Sequence, residues 1–174
     1  ALKANTTASY NAAVGAYALD DNTTGATNAA FGYAALGSNT TATGNTGIGS
    51  SALASTTDGA SNTAVGINAL LSSTGTANTA VGAYALDANT TANSNTAIGK
   101  DALTANTTGT RNVAVGASAL QTITTASYNT GVGNDVLGAN NSGAHNTGAG
   151  DQALAANTTG DYNTAVGALA LDAN

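Results

Sequence analysis

The hydrophobic residues of this chain recur with a period far longer than that of a helix or a strand. A Leu returns at every seventeenth position, and five positions before each Leu stands Val, Ile, Phe or, once, Ala149. A single interval, between Leu70 and Leu86, is shorter by one position. The ten residues of this column are Leu19, Leu36, Leu53, Leu70, Leu86, Leu103, Leu120, Leu137, Leu154 and Leu171. The pattern indicates an internal repeat, which decides the architecture.

The residues between these positions repeat in the same phase. The consensus is N-T-A-V-G-x-x-A-L-x-x-N-T-T-G-x-x, and we number repeat positions 1 to 17 from its first Asn. Position 3 is Ala or Gly, position 5 is Gly, and position 8 is Ala except at Val136. The position-1 residues are Asn11, Asn28, Asn45, Asn62, Asn78, Asn95, Asn112, Asn129, Asn146 and Asn163. Similarity therefore runs between equivalent positions, as it does when units stack.

A 17-residue unit rich in Gly, Asn and Thr is too short for two helices and favours turns. We predict an all-β fold: a parallel β-solenoid (β-roll) of ten 17-residue coils, covering residues 1–174 as one array. Coils stacked at strand spacing would give a rod of roughly 45–50 Å. Each coil is expected to hold strands at positions 2–4 and near positions 8–9. Gly at position 5 would allow a positive φ or a close backbone approach, and positions 12–15 would form a turn.

The invariant Asn at position 1 has two interpretations. Stacked Asn amides could hydrogen-bond from coil to coil and fix the register, or Asn could merely tolerate a turn backbone. Position 1 is Asn in all ten copies and is never replaced by Asp or Ser, which favours the hydrogen-bonded column. A turn role suffices for position 12, where Thr56, Ser73 and Ile123 replace Asn. The Asn residues at position 12 are Asn5, Asn22, Asn39, Asn89, Asn106, Asn140, Asn157 and Asn174.

One coil has little apolar surface to bury. If Leu at position 9, the β-branched residue at position 4 and a few Ala form the interior, their burial hardly offsets the entropy of ordering the whole coil. Ala-rich columns at positions 3 and 8 would let the backbones of two chains approach closely. We therefore predict a parallel homo-oligomer, with three chains about one axis as the first choice. The alternative is a self-sufficient monomer.

Composition excludes several classes of function. The chain has 174 residues, three Lys and Arg against nine Asp, and a formal net charge of −6, so it has no basic surface for nucleic acid. Without Cys it has no disulfides, thiolate nucleophile or Cys-bound zinc. No apolar run approaches the roughly 18 residues of a membrane helix.

The array begins and ends within a repeat and lacks a capping unit, which predicts a segment of a longer fibre.

No catalytic, metal-binding or cofactor-binding residues are predicted. His145 falls at the variable position 17, which indicates an exposed turn residue. Asp residues that share a position, such as Asp20 and Asp87, do not lie in adjacent coils and are too sparse for calcium. The Gly-rich stretches 131–133 and 148–150 lack the Lys and helix of a phosphate-binding loop.

The Tyr residues and the Asn-x-Thr/Ser sequons each have two interpretations. The Tyr residues fall at positions 6, 7 and 17, where they could contact a glycan, although ordinary surface Tyr is the favoured interpretation. They are Tyr10, Tyr17, Tyr33, Tyr84, Tyr128 and Tyr162. The sequons start at position 12. In a eukaryotic secretory pathway they would be candidates for glycosylation, whereas in a bacterium they would be turn residues. They begin at Asn5, Asn22, Asn39, Asn89, Asn106, Asn140 and Asn157. O-linked sugar on the Thr rows stays open.

The N-T-A-V-G and N-T-A-I-G cores at 62–66, 78–82, 95–99 and 163–167 resemble the repeats in head domains of bacterial trimeric autotransporter adhesins. The longer unit at 78–91 is even more similar to arrays in large bacterial proteins described as tail-fibre-like. The resemblance implies a left-handed roll joined as a trimer, although the adhesin unit is usually shorter than the repeat of this chain.

We therefore expect a structural fibre segment of an extracellular adhesin or cell-surface appendage, giving reach and surface attachment and not acting as an enzyme. Its expected partners are copies of itself and a surface glycan or a host or prey cell surface. The alternative is an ice-binding β-solenoid that uses Thr rows at position 2 and at positions 13–14. The position-2 Thr residues are Thr46, Thr63, Thr79, Thr96, Thr130, Thr147 and Thr164. A glycan-processing enzyme would need carboxylates about 5–9.5 Å apart in a cleft, which a narrow rod does not offer.

Overall fold

The computed structural model describes residues 1–172, in which ten short strands form one parallel sheet in sequence order. Each strand pairs in register with the next, so that Thr63 lies beside Thr79 and Val65 beside Val81. The strands are β1 (Ala12–Val14), β2 (Ala29–Phe31), β3 (Thr46–Ile48), β4 (Thr63–Val65), β5 (Thr79–Val81), β6 (Thr96–Ile98), β7 (Val113–Val115), β8 (Thr130–Val132), β9 (Thr147–Ala149) and β10 (Thr164–Val166). The predicted parallel β-solenoid is confirmed, and so is the length of its coil. Asn174 lies outside the described residues.

The apolar core of the rod is made mainly by positions 3, 8 and 9. Leu at position 9 and Ala at position 8 are fully buried in most coils, for example Leu86 and Ala85. In each strand the middle residue points inward because successive strand side chains alternate between faces, and Ala80 is accordingly buried. This middle position must be small: a Cβ on Gly47 would already lie 3.3 Å from Cγ of Leu36.

The expectation that position 4 lies in the interior is wrong. The position-4 side chains point away from the core, and Val14, Ile48 and Val132 are 60%, 42% and 46% exposed. The two-residue alternation of the strand is the reason: once Ala at position 3 faces inward, positions 2 and 4 must both face outward. The apolar core is therefore thinner than the sequence suggested, with one Leu as its only large apolar side chain in most coils.

The predicted second strand at positions 8–9 is a turn segment instead. Every position-9 Leu has a positive φ, from +48° at Leu19 to +56° at Leu154. This left-handed conformation is costly for a side chain with Cβ, yet it recurs in each coil. The segment still bonds from coil to coil, since the Leu36 N–H donates to the Ala52 carbonyl at 3.0 Å. Stacking thus satisfies the backbone even where no strand exists.

Gly at position 5 closes the strand, as predicted. Its φ lies between +123°, at Gly167, and +146°, at Gly133. A Cβ on Gly116 would lie 2.2 Å from the carbonyl oxygen of Gly133 in the next coil. Both the conformation and the close approach therefore require Gly here.

The predicted hydrogen-bonded column at position 1 exists, with a different pairing from the expected one. The backbone N–H of Asn28 donates to Oδ1 of Asn11 in the preceding coil at 2.8 Å. Its Nδ2 donates to the Ala42 carbonyl at position 15 of its own coil, also at 2.8 Å. Each Asn thus joins successive coils through its oxygen and closes its own coil through its nitrogen. The amides do not bond to one another.

Amide-to-amide bonding occurs instead at position 12, where a turn role had seemed sufficient. Nδ2 of Asn39 donates to Oδ1 of Asn22 at 2.8 Å, and Nδ2 of Asn22 donates to Oδ1 of Asn5 at 3.1 Å. Asn22 and Asn39 are fully buried. Position 12 is therefore an interior column that holds coils together.

The short coil, residues 62–77, loses its residue in the turn at positions 13–14. Nδ2 of Asn62 reaches the Gly75 carbonyl 13 residues later, whereas Asn45 reaches Gly59 14 residues later, both at 2.8 Å. The strand register on either side is unchanged. The turn absorbs the deletion because its side chains face solvent.

Candidate interaction surface

The outward side chains of the ten strands form a continuous surface, which we call the sheet face. It consists of positions 2 and 4 of β1–β10 and contains only Thr, Ala, Val, Ile and Phe, so it carries no charge. Its residues are Ala12, Val14, Ala29, Phe31, Thr46, Ile48, Thr63, Val65, Thr79, Val81, Thr96, Ile98, Val113, Val115, Thr130, Val132, Thr147, Ala149, Thr164 and Val166. The charged residues all lie at other positions.

The sheet face is ordered along its length, and its position-4 column is apolar. In-register pairing places position-4 side chains in one column, with Val81 beside Ile98, and Thr79 beside Thr96 in the neighbouring column. β-Branched side chains are stiff at χ1, so the array loses little freedom when something packs on it. A soluble protein rarely exposes an apolar column this long without a partner.

The Ala columns expected to join two chains cannot do so. Ala64 and Ala97 at position 3, and Ala69 and Ala102 at position 8, are fully buried within their own chain. Strand alternation and the turn at positions 5–9 direct both columns inward. The sheet face is therefore the surface through which a second chain could pack.

A second feature is a row of stacked rings at position 17. Tyr128, His145 and Tyr162 stand in three successive coils with ring centroids 4.8 Å apart and planes within 6° of parallel. Arg111 continues the row, its guanidinium 5.4 Å from the Tyr128 centroid. His145 is exposed, as predicted. The stacking was missed, although aromatic residues at one repeat position in successive coils were its signal.

The Tyr side chains lie at the surface, as the favoured interpretation predicted. Tyr10 is 88% exposed, and Tyr17 and Tyr33 meet edge to face with centroids 5.6 Å apart. Both faces of the His145 ring are covered by Tyr128 and Tyr162, so each of these Tyr rings has one face that is not free to receive a sugar ring.

The ionisable groups do not converge. Lys100 pairs with Asp101 of the same coil, and this hydrogen bond, helped by the carboxylate charge, raises the pKa of the exposed Lys100. Oδ1 of Asp151 accepts from Nδ2 of Asn134 at 3.2 Å. Within residues 1–172 no three His, Asp or Glu side chains are grouped to hold a metal ion, and the surface has no pocket.

The sequon Asn residues are mostly inaccessible in the folded chain. Asn22, Asn39, Asn89, Asn106 and Asn140 are fully buried and donate hydrogen bonds to neighbouring carbonyls. A glycan on any of these nitrogens would require the coil to open. The glycosylation interpretation therefore does not fit the folded rod at these positions.

The fold defines this chain as a parallel β-solenoid repeat protein. Comparison with family models, with curated proteins and with solved structures finds no match to the chain. The part of the chain described here contains no helix with the length and apolarity needed to cross a membrane.

Proposed function

We propose that the chain is a segment of a structural fibre in an extracellular adhesin or cell-surface appendage, and that it associates in parallel with copies of itself through the sheet face. The rod would supply reach and contact with a surface, such as a glycan on a host or prey cell, and catalyse no reaction. The observation that supports this most is the uncharged sheet face, whose position-4 column is exposed in six of the ten strands and half-buried in the other four.

A partner must match the spacing of the sheet face over many coils. Side chains within a column are separated by the strand spacing, about 4.7–4.9 Å, and another sheet repeats that spacing without mismatch. Two sheets pack face to face at about 10 Å, with interdigitated side chains. A second copy of this chain matches the sheet face in both period and apolar character.

Three copies about one axis are the first choice for the assembly. They would bring three position-4 columns together and remove side chains such as Ile48 and Ile98 from water. This arrangement, with a left-handed winding of each roll, is what the resemblance to trimeric adhesin heads implies. The burial would supplement a core that holds one large apolar side chain in most coils.

The test combines mass measurement with two matched pairs of substitutions. Sedimentation and light scattering give the mass of the unmodified chain. Val81→Lys with Ile98→Lys places two charges on the sheet face in adjacent coils. Thr91→Lys with Thr108→Lys places the same charges on exposed turns of adjacent coils, away from the sheet face.

The unmodified chain and the turn variant are expected to have the mass of an oligomer, and the sheet-face variant that of a folded monomer. An unmodified chain that stays a folded monomer at all concentrations would refute the proposal. Oligomers that survive the sheet-face charges would place the interface elsewhere.

Ice binding is a second candidate function, and it would use the same surface. Thr46, Thr63, Thr79 and Thr96 stand side by side on four successive strands, next to the apolar position-4 column. A rigid array of hydroxyl and methyl groups at strand spacing could order water. Ala12, Ala29 and Val113 interrupt the Thr column. A monomer with thermal hysteresis, lost in the sheet-face variant, would favour this candidate; no thermal hysteresis would remove it.

A further inference from the structure

The position-12 column is interrupted in a way that leaves particular buried oxygen atoms without a partner. Oδ1 of Asn39 and Oδ1 of Asn106 are buried and accept no hydrogen bond from the described residues. In the coil that follows each of them, position 12 is not Asn: Thr56 follows Asn39, and Ile123 follows Asn106. The unpartnered oxygens therefore coincide with missing amides.

The orientation of the Asn39 amide is fixed by its other bonds. Its Nδ2 donates to Oδ1 of Asn22 at 2.8 Å and to the Ala42 carbonyl at 3.2 Å. If Oδ1 and Nδ2 of Asn39 were exchanged, the Asn39 oxygen would face these two acceptors and no donor would lie between them. The unpartnered atom is thus an acceptor, and its burial without a donor is unfavourable.

The repeat shows where a donor would stand. In three pairs of adjacent coils, Nδ2 of the later Asn bonds both the preceding Oδ1 and the position-15 carbonyl of its own coil, as Asn22 does to Asn5 and Gly25 at 3.1 and 3.0 Å. In the pair of Asn140 and Asn157, the Asn140 oxygen accepts from the Gly143 N–H instead. In the coil of Thr56, the position-15 carbonyl belongs to Gly59 and accepts only Nδ2 of Asn45. A donor at the place of the missing Nδ2 would therefore face two acceptors, Oδ1 of Asn39 and the Gly59 carbonyl.

Thr56 and Ile123 differ in the space that they leave at this point. Thr ends at its γ atoms, and its hydroxyl already donates to the Ser73 carbonyl at 2.8 Å. Ile carries a δ carbon that can occupy the place of the amide nitrogen. The Thr56 side chain is therefore one heavy atom shorter than Asn and leaves space in a polar region. The Ile123 side chain fills the equivalent space with an apolar group.

We infer that a buried water molecule binds beside Thr56 and donates to both Oδ1 of Asn39 and the carbonyl of Gly59, in place of the amide nitrogen of the repeat. Two or more protein partners are what an internal water requires. A metal ion such as Ca²⁺ would need six or more oxygens at shorter distances. At Ile123 the Asn106 oxygen stays without a donor.

The test is a crystal structure of the unmodified chain beside one of Thr56→Asn, which restores the usual residue of the repeat. In the unmodified chain we expect a solvent peak at hydrogen-bond distance from both acceptors, and none at Oδ1 of Asn106. In Thr56→Asn the new Nδ2 should replace the peak. A missing peak near Thr56, a peak beside Ile123, a peak that persists in the Thr56→Asn variant, or one with six close oxygens would each overturn the inference.

Discussion

Val136 occupies the space that a methyl group on Gly148 would need: a Cβ on Gly148 would lie 2.6 Å from Cγ2 of Val136. Val136 is the one residue at position 8 that is larger than Ala, and it is fully buried. The neighbouring Gly131 would likewise bring a Cβ to 2.8 Å from Cγ1 of Val136. Two Gly residues on adjacent strands therefore accommodate one enlarged side chain.

This contact predicts strong coupling between Gly148 and Val136. Gly148→Ala should lower the free energy of unfolding by about 1–3 kcal/mol, because an added methyl overfills the core. In the Val136→Ala background the same substitution should have little effect, giving an interaction energy of about 0.5–3 kcal/mol. Urea unfolding of the four proteins measures this cycle. Additive effects would contradict the proposed contact.

The buried column at position 12 predicts that Asp cannot replace Asn there. Nδ2 of Asn89 donates to Oγ of Ser73 at 2.8 Å and to the Ala92 carbonyl at 3.2 Å. Asn89→Asp removes both donors and buries a charge, so a loss of about 3 kcal/mol or more is expected at pH 7. Burial favours the protonated acid in the folded state and so raises its pKa above the unfolded value; the loss should therefore shrink as the pH falls toward about 4 and stay constant below that.

Asn141→Asp is the matched control for that substitution. Asn141 is an exposed turn residue whose backbone N–H bonds the Thr158 carbonyl. Its change to Asp should alter stability by less than about 0.5 kcal/mol. Equal losses in the two variants, measured by thermal unfolding at both pH values, would show that position 12 is not a buried column.

The left-handed backbone at exposed positions predicts that Gly is favourable there. Ala77 has a φ of +57°, which disfavours any residue with Cβ, whereas Ala88 is not among the positive-φ residues. Ala88→Gly should destabilise by about 0.5–1 kcal/mol, and Ala77→Gly should be neutral or stabilising. A difference of about 1–2 kcal/mol between the two is expected from the strain relieved. Matching unfolding midpoints would argue against that conformation.

The short coil predicts where the repeat tolerates deletion. Removing Thr91, an exposed residue of the turn at positions 13–14, copies the 16-residue coil and should keep the fold with a small drop in melting temperature. Removing Ala97 shortens β6 at its inward position and would turn its neighbours to the wrong face. Circular dichroism of both deletions checks this; a folded Ala97 deletion would contradict the assigned register.

The stacking of coils was predictable because equivalent residues one repeat apart become neighbours. The direction of position 4 was not predicted, since a column of Val and Ile is usually interior. The range of side-chain sizes at position 4 indicated its exposure: position 4 ranges from Ala149 to Phe31, whereas position 3 is only Ala or Gly. A confined site restricts side-chain volume, and an exposed one does not.

The left-handed Leu residues had no comparable signal, and the signal for the interior position-12 column was weaker. Leu rarely adopts a positive φ, so Leu19 and its equivalents indicated a strand. The replacements Thr56, Ser73 and Ile123 suggested a tolerant turn, although Ile in place of Asn is itself more consistent with an interior than with a solvent-exposed turn. Only the stacked backbone shows that these side chains face one another.

Because every coil bonds only to the coils beside it, an in-frame duplication of one repeat in the coding sequence would insert one more coil and leave all existing contacts in place. Each such event would lengthen the rod by about 4.8 Å at constant thickness. A population could thus adjust how far the molecule extends by copying its own repeat, without having to invent a new packing arrangement.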